Sequence, residues 1–282
     1  MTLSIREIDE AIKEAPIGVF DSGVGGLTVA REIMRQMPNE RIIYFGDTAR
    51  VPYGSKSQNT IIRYSRQIIR FLRTKKVKAI VVACNTASAY ALDTIETELN
   101  IPIIGVVKPG AKVAVDATNN GKIGVIGTEG TINSGIYSEF IHKRKKDITV
   151  VGKACPLFVP LVEENWIKDS VTDEVAKRYL SELKESGIDT LILGCTHYPL
   201  LRSTVRKMIG EDVTLVNPAY ETALELKALL EEHDMINTSN QINDSSRYEF
   251  YVSDAADKFK QFANSILPYD IETTKLINIE DF

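Results

Sequence analysis

Cysteine, histidine and tryptophan are scarce in this chain of 282 residues, which has three, three and one of them. So few cysteines, in an odd number, predict free thiols and a reducing compartment, and we expect a cytoplasmic protein. Neither C-x-x-C nor H-E-x-x-H occurs, and three histidines leave few ligands for a zinc site. We therefore expect no bound metal.

Long apolar runs and an excess of one charge are also missing. No apolar stretch approaches the roughly 20 residues of a membrane-spanning helix and no export signal is recognised, so no membrane association is expected. The 34 basic and 38 acidic residues leave a formal charge of −4, which does not suggest a nucleic-acid partner. A hydrophobic content of 44% predicts a globular chain with one or two cores.

Two stretches repeat one pattern, an apolar run that stops at a cysteine and continues with polar residues. They are Ala79 to Ser88 and Leu191 to Pro199. Such runs predict buried parallel strands, whose carboxyl ends are where ligands bind in open α/β sheets. A helix start is expected after each cysteine, and a helix N-terminus lowers the pKa of a thiol. Core packing is the commoner role of a single cysteine, as expected for Cys155, but the repetition favours Cys84 and Cys195 as functional groups.

The repetition extends beyond the cysteines. Five landmarks recur in the same order at offsets between 106 (123 − 17) and 111 (195 − 84): Ile17 to Phe20 with Ile123 to Ile126, Tyr44 to Gly46 with Val150 to Gly152, Pro52 with Pro160, Cys84 with Cys195, and Lys108-Pro109 with Asn217-Pro218. We therefore predict an α/β fold of two pseudo-symmetric, doubly wound parallel-sheet domains that face a shared cleft. The predicted domains are residues 1–107 plus 218–282, and residues 108–217.

Several other segments carry local predictions. Residues 3–15 have the spacing of a small amphipathic helix, and residues 101–107 predict a strand closed by Lys108-Pro109-Gly110. Residues 237–246 are rich in Asn and Ser and predict a loop. The strand and helix predicted for residues 248–267 have no third unit to join, so we expect this tail to complete the first sheet.

If the two units face each other, Cys84 and Cys195 approach one bound molecule from opposite sides. One thiolate can then remove a proton from a carbon while the other thiol returns a proton to the opposite face, which inverts a stereocentre. His197, beside Cys195, is expected to hold that thiol as a thiolate or to shuttle its proton. No lysine lies in these strand-end motifs to form a pyridoxal Schiff base, so no cofactor is expected.

A glycine-rich turn, Asp21 to Gly26, follows the first predicted strand and opens a helix. Its backbone N–H groups could hold a carboxylate of an amino acid ligand, as helix N-termini do. Equally, Asp21 and Ser22 could be cap residues and the glycines a tight turn. The spacing is not that of a dinucleotide or P-loop motif.

Four motifs in this order resemble the glutamate racemase family: Asp21-Ser22-Gly23-x-Gly25-Gly26, Pro52-Tyr53-Gly54, Cys84 to Ser88, and Gly194 to Pro199. The similarity spans about residues 17–267. It implies a cofactor-independent enzyme that converts L-glutamate to D-glutamate for bacterial peptidoglycan. Cys84 would act on the D-enantiomer and Cys195 on the L-enantiomer, and the family suggests a homodimer.

The resemblance also implies the other site residues. Substrate contacts fall on Asp21, Ser22, Tyr53, Gly54, Asn85, Thr86, Thr196 and His197. Asp21 and His197 would assist the two thiols. Acidic helpers fall on Asp47 and Glu163, with the neighbouring Glu164 left as an alternative.

Other functions compete with this one. An aspartate or hydantoin racemase would have the same fold, and a non-catalytic amino-acid-binding protein could have the same two lobes. A cysteine phosphatase needs an arginine six residues after its cysteine, where this chain has Tyr90 and Leu201, and is disfavoured. The expected partner is therefore a small-molecule substrate, glutamate.

Overall fold

The computed structural model describes residues 5–239 and 247–282. Within these residues the strands are β1 Ile17–Asp21, β2 Ile42–Gly46, β3 Ala79–Val82, β4 Ile103–Gly105, β5 Lys122–Gly127, β6 Thr149–Ala154, β7 Thr190–Gly194, β8 Thr214–Val216, β9 Tyr248–Val252 and β10 Lys275–Leu276. The helices are α1 Ile5–Glu14, α2 Leu27–Gln36, α3 Gln58–Thr74, α4 Asn85–Tyr90, α5 Leu92–Glu96, α6 Val107–Ala117, α7 Glu129–Asn133, α8 Ile136–Arg144, α9 Phe158–Glu163, α10 Ser170–Glu185, α11 Arg202–Ile209, α12 Pro218–Glu232 and α13 Ala256–Ile266.

The strands form two parallel sheets with one shared topology. The first sheet has the order β10-β9-β2-β1-β3-β4 and the second has the order β6-β5-β7-β8. The four strands of the second sheet therefore repeat the order β2-β1-β3-β4 of the first sheet. Every pair of neighbouring strands is parallel. The predicted α/β fold with two duplicated parallel sheets is confirmed. The exact domain limits stay a prediction.

Helices cover both faces of the first sheet, which explains why its central strand β1 is buried throughout and is apolar up to Asp21. Val19 belongs to a core cluster shared with α2, α12 and α13, whereas Phe20 belongs to one shared with α3. Successive side chains of a strand point to opposite faces of the sheet, so the residues of β1 face the two layers of helices alternately. Each such side chain, when fully buried, contributes roughly 1.5–3 kcal/mol. None of the described helices is both long and apolar enough to cross a bilayer.

The carboxyl-terminal segment returns to the first sheet, as predicted. β9 pairs with β2 from Ile42↔Tyr248 to Gly46↔Val252, and β10 then extends the sheet beyond β9. The short strand β10 and the 3-10 helix Ile279–Asp281 were not predicted. The predicted loop at 237–246 lies largely outside the described residues.

Two local predictions need correction. The predicted strand at 101–107 is shorter, because β4 covers only Ile103–Gly105 and Lys108-Pro109-Gly110 lies inside α6. Proline is tolerated in the first turn of a helix, where its missing N–H has no intrahelical partner to lose. The predicted helix at 3–15 is α1, Ile5–Glu14, and residues 3 and 4 lie outside the described part of the chain.

Candidate active site

A cavity of about 410 Å³ opens between the carboxyl ends of the two sheets. Cys84 follows β3 and Cys195 follows β7, and both sulfur-bearing side chains line this cavity. Eight other predicted site residues line it as well: Ser22, Tyr53, Gly54, Asn85, Thr86, Glu163, Thr196 and His197. The duplicated strand ends therefore converge on one cavity.

Cys84 is held at the start of α4. Its sulfur accepts a hydrogen bond from the Ala87 N–H at 3.4 Å, and its thiol donates to Ser22 Oγ at 3.6 Å. Burial and the charge of Asp21 nevertheless outweigh the helix start and raise the pKa of Cys84 to about 12. The expectation that a helix N-terminus lowers this pKa is therefore wrong in net effect, and Cys84 is a thiol at neutral pH.

Cys195 has different surroundings. The predicted helix start at Thr196-His197 is not formed, because a 3-10 helix begins at Tyr198 and α11 only at Arg202. The Cys195 sulfur instead lies 3.8 Å from Nδ1 of His197. Two cysteines that look alike in sequence thus face different groups.

His197 connects Cys195 to an acidic residue. Its Nε2 lies 3.1 Å from Oε1 of Glu163. Burial alone would lower the pKa of His197, but the contacts with Cys195 and Glu163 raise it to about 10. Burial likewise acts to raise the pKa of Glu163, and the hydrogen bond and charge of His197 reverse this and lower it. The histidine therefore carries a positive charge beside the Cys195 sulfur at neutral pH.

The structure distinguishes the two neighbouring glutamates. Glu163 lines the cavity and contacts His197, whereas the Glu164 side chain is 65% exposed and lies 3.3 Å from Lys258. Glu163, at the end of α9, is thus the one that reaches the site.

Asp21 lies beneath the cavity rather than in its wall. Its carboxylate accepts hydrogen bonds from the N–H groups of Gly23, at 2.9 Å, and Gly26, and from Thr196 Oγ1 at 3.4 Å. Burial raises its pKa, although the charge of His197 and these bonds oppose the shift. The N–H groups of Gly23 and Gly26, which were expected to be available for a ligand carboxylate, therefore already bind Asp21. The expectation is wrong for these two groups.

Gly25 of this turn is required by close packing between the lobes. A Cβ on Gly25 would lie 2.4 Å from Thr196 Oγ1 and 2.5 Å from His197 Nδ1. Thr28, one turn further on, donates to the Thr196 carbonyl at 2.9 Å. The loop after β1 therefore packs directly against the loop that carries Cys195.

Asp47 is the second predicted residue that does not line the cavity. It is fully buried behind Tyr53, whose hydroxyl donates to it. Its oxygens also accept from Arg50 Nε, at 2.8 Å and 3.0 Å, and from Ser253 Oγ at 2.9 Å. Burial and Asp47 raise the pKa of Tyr53 well above its ordinary value, so the hydroxyl keeps its proton.

Hydrogen bonds cross the cleft on its other side. The Tyr137 hydroxyl donates to Asn85 Oδ1 at 2.7 Å, and Thr86 Oγ1 lies 2.9 Å from Thr128 Oγ1 and 3.2 Å from Thr131 Oγ1. Asn85 and Thr86 are therefore positioned by the second lobe although they follow a strand of the first.

Sequence reasoning did not assign to the site several other residues that line the cavity, although Pro52 belongs to a family motif and Pro160 is its counterpart in the repeat: Val51, Pro52, Ser55, Thr128, Glu129, Pro156, Val159 and Pro160. Thr128 could have been found, because it lies 106 residues (128 − 22) after Ser22 and follows β5 as Ser22 follows β1. Val51, Pro156 and Val159 are apolar lining residues with no chemical signature in the sequence. Among residues 5–239 and 247–282, no group of three or more His, Cys, Asp or Glu side chains could hold a metal ion.

Comparison with known proteins agrees with this geometry. The family model for Asp/Glu/Hydantoin racemase matches residues 17–225. A curated glutamate racemase from Geobacter metallireducens is 50% identical over 252 residues, covering 89% of this chain and 92% of that protein. The crystal structure of a glutamate racemase from Bacillus anthracis is similar with a TM-score of 0.89 at 42% identity, covering 94% of this chain and 98% of that one.

A second solved structure is similar over nearly the whole length. It is the glutamate racemase from Francisella tularensis in complex with D-glutamate, with a TM-score of 0.88 at 40% identity, covering 96% of this chain and 100% of that one. With two duplicated parallel sheets, paired cysteines in one cavity and a family model that spans most of its length, this chain belongs to the Asp/Glu/Hydantoin racemase family.

Proposed function

We propose that this chain interconverts L- and D-glutamate without a cofactor, by proton transfer through Cys84 and Cys195. The observation that carries the proposal is that both thiols, one from each duplicated sheet, line the same cavity. The relatives named above, at 40–50% identity over most of the chain, favour glutamate as the substrate.

In the proposed direction from L-glutamate, the Cys195 thiolate removes the proton from the α-carbon. The C–H bond breaks, an S–H bond forms and a carbanion remains. The Cys84 thiol then gives its own proton to the opposite face, and its S–H bond breaks as a new C–H bond forms. The reverse reaction exchanges the roles of the two sulfurs.

The two thiol environments support this starting state. The positively charged His197 lies 3.8 Å from the Cys195 sulfur, and Glu163 supports that charge. The pKa of about 12 keeps Cys84 as the proton donor. Asp21, whose negative charge helps to raise that pKa, is proposed to maintain this asymmetry.

Polar side chains around the cavity are proposed to hold the substrate. Those of Ser22, Asn85, Thr86 and Thr196, with the Tyr53-Gly54 segment, supply hydrogen-bond donors and acceptors for its carboxylates and ammonium group. Asp47 is proposed to act through Tyr53, because its own oxygens are already used.

Two alternatives remain as outcomes of the tests. An aspartate or hydantoin racemase belongs to the same family, but the glutamate racemases named above favour glutamate. A non-catalytic binding protein would have no use for two thiols in different electrostatic surroundings. We further propose supply of D-glutamate for peptidoglycan, a homodimer, and a reducing cytoplasmic location, the last supported by three free cysteines.

Incubation with L-glutamate in D2O, with no cofactor added, tests the reaction. Deuterium is expected at the α-carbon of the D-glutamate formed, because the proton that is delivered comes from a solvent-exchanged thiol. Mass spectrometry or proton NMR measures the label. Racemisation without deuterium would contradict proton transfer, and exchange with L-aspartate but not with L-glutamate would favour the aspartate alternative.

Glu163→Gln is expected to lower kcat/KM about tenfold, because His197 loses a charge-assisted hydrogen bond. Glu164→Gln is the matched control, since that side chain is exposed and does not line the cavity. Circular dichroism of glutamate follows both reactions. Equal effects of the two substitutions would contradict the role given to Glu163.

A further inference from the structure

Arg50 does not line the cavity, but it contacts the Asp47 carboxylate that lies behind Tyr53 of the cavity wall. Its side chain is only 10% exposed, and its guanidinium lies 4.0 Å from the centre of the Tyr64 ring. Nε donates to both oxygens of Asp47, and Nη1 donates to Gln67 Oε1 at 2.6 Å and to Glu280 Oε1 at 3.1 Å. The guanidinium is therefore fixed on several sides.

The partner of this guanidinium is a fully buried carboxylate. Asp47 accepts hydrogen bonds from Tyr53 and Ser253 as well as from Arg50, but Arg50 is its only cationic contact among the described residues. A buried carboxylate without a compensating charge is unfavourable, and it either takes up a proton or moves toward water. Either change would alter the hydrogen bond that fixes the Tyr53 hydroxyl.

Tyr53 connects this network to the cavity. Its side chain is buried and lines the cavity while its hydroxyl donates to Asp47. The adjoining Gly54 packs so closely on Thr128 of the second lobe that a Cβ would lie 2.7 Å from Thr128 Cβ. A displaced Tyr53 would therefore change the shape of the wall on both sides of the cleft.

We propose that Arg50 is a positioning residue for the reaction, holding the Asp47–Tyr53 pair so that the cavity wall fits the substrate. The proposal rests on the proposed function, because the reaction supplies its kinetic measurement. In the proposed function Tyr53 lies against the substrate and takes no part in the proton transfer. Arg50 therefore affects the binding of the substrate in the ground state and in the transition state equally.

Arg50→Met removes the charge and keeps an unbranched side chain. We expect KM to rise about tenfold for both enantiomers while kcat falls less than about threefold, which is the pattern of lost uniform binding. A purely structural role would lower the thermal midpoint and the amount of active protein, with KM unchanged. An unchanged KM in folded Arg50→Met protein would overturn the proposal.

Two further variants keep the test decisive. Arg66→Met is the matched control, since Arg66 pairs with Glu98 in an exposed ion pair of the same lobe, and its KM should equal that of the wild type. Arg50→Lys keeps the charge but loses the fork of N–H groups, so its KM should rise at least about twofold. Should Arg50→Met fail to fold, an unchanged KM in Arg50→Lys would overturn the proposal.

A crystal structure of the Arg50→Met variant distinguishes a failure of this proposal from a failure of the proposed function. Tyr53 is expected to turn away from its place in the cavity wall, whatever substrate the protein uses. An unmoved Tyr53 would count against Arg50 as a positioning residue. A wild-type protein inactive on glutamate would instead count against the proposed function alone.

Discussion

Replacing either Cys84 or Cys195 by serine is expected to lower kcat for glutamate racemisation by at least about 10³-fold, because a serine hydroxyl is too weak an acid to form the base that removes the α-proton. Each direction of the reaction uses both residues, one as base and one as acid. Both single substitutions should therefore abolish turnover in both directions. Binding of glutamate should persist, because a hydroxyl replaces the thiol with little change in volume.

Cys155 provides the matched control within the same chain. Its thiol is buried, donates to the Lys153 carbonyl at 3.6 Å and does not line the cavity. Cys155→Ser should leave kcat close to the wild-type value. Polarimetry from each pure enantiomer measures turnover, and calorimetry measures binding. Near wild-type turnover in either Cys84→Ser or Cys195→Ser would refute the two-thiol mechanism. Binding of glutamate without turnover in the wild type would instead favour the binding-protein alternative.

Gly25→Ala is expected to lower kcat/KM by about 10²-fold, the loss that a displacement of roughly 1 Å in a reacting group can cause. The added Cβ would lie 2.4 Å from Thr196 Oγ1 and 2.5 Å from His197 Nδ1, so one of the two loops must move. Movement of His197 separates the positive charge from the Cys195 sulfur. The substitution therefore affects the chemistry although Gly25 itself does not line the cavity.

Gly152→Ala is the corresponding control for a glycine in the second sheet. Its added Cβ would meet only the Ile132 side chain, at 3.2 Å, and Ile132 does not line the cavity. A change in kcat/KM of less than about twofold is expected, as for most substitutions away from a functional site. Steady-state rates of both variants, corrected for folded protein by circular dichroism, provide the comparison. Wild-type kinetics in Gly25→Ala would show that the lobes need not dock as closely as described.

Much of the fold could be predicted from the spacing of a few residues. The interval between Cys84 and Cys195 is close to those of four other landmarks, and the second sheet repeats the order of four strands of the first. Parallel strands place their carboxyl ends at one edge, so residues that follow β3 and β7 were expected near a ligand. The short apolar segment at 101–107 was harder, because no periodicity separates the end of β4 from the start of α6.

The electrostatics of the site could not be predicted from local motifs. A helix start follows Cys84, yet burial and Asp21, which lies 63 residues (84 − 21) earlier in the chain, raise the pKa of that thiol. The choice between Glu163 and Glu164 depends on which one the end of α9 directs toward His197. Both outcomes depend on distances between segments that are remote in sequence.

The sequence by itself determined the duplicated α/β topology, the pair of cysteines at equivalent strand ends and the family motifs around them. These features depend on hydrophobic periodicity and residue order, both of which are visible in the sequence alone. Only the tertiary structure decided that Asp21 and Asp47 lie behind the cavity, that the glycine turn packs against the loop that carries Cys195, and that the two thiols differ in charge environment. Burial and the approach of distant charged groups exist only after the two lobes have packed together, because desolvation and Coulombic interactions depend on the folded geometry.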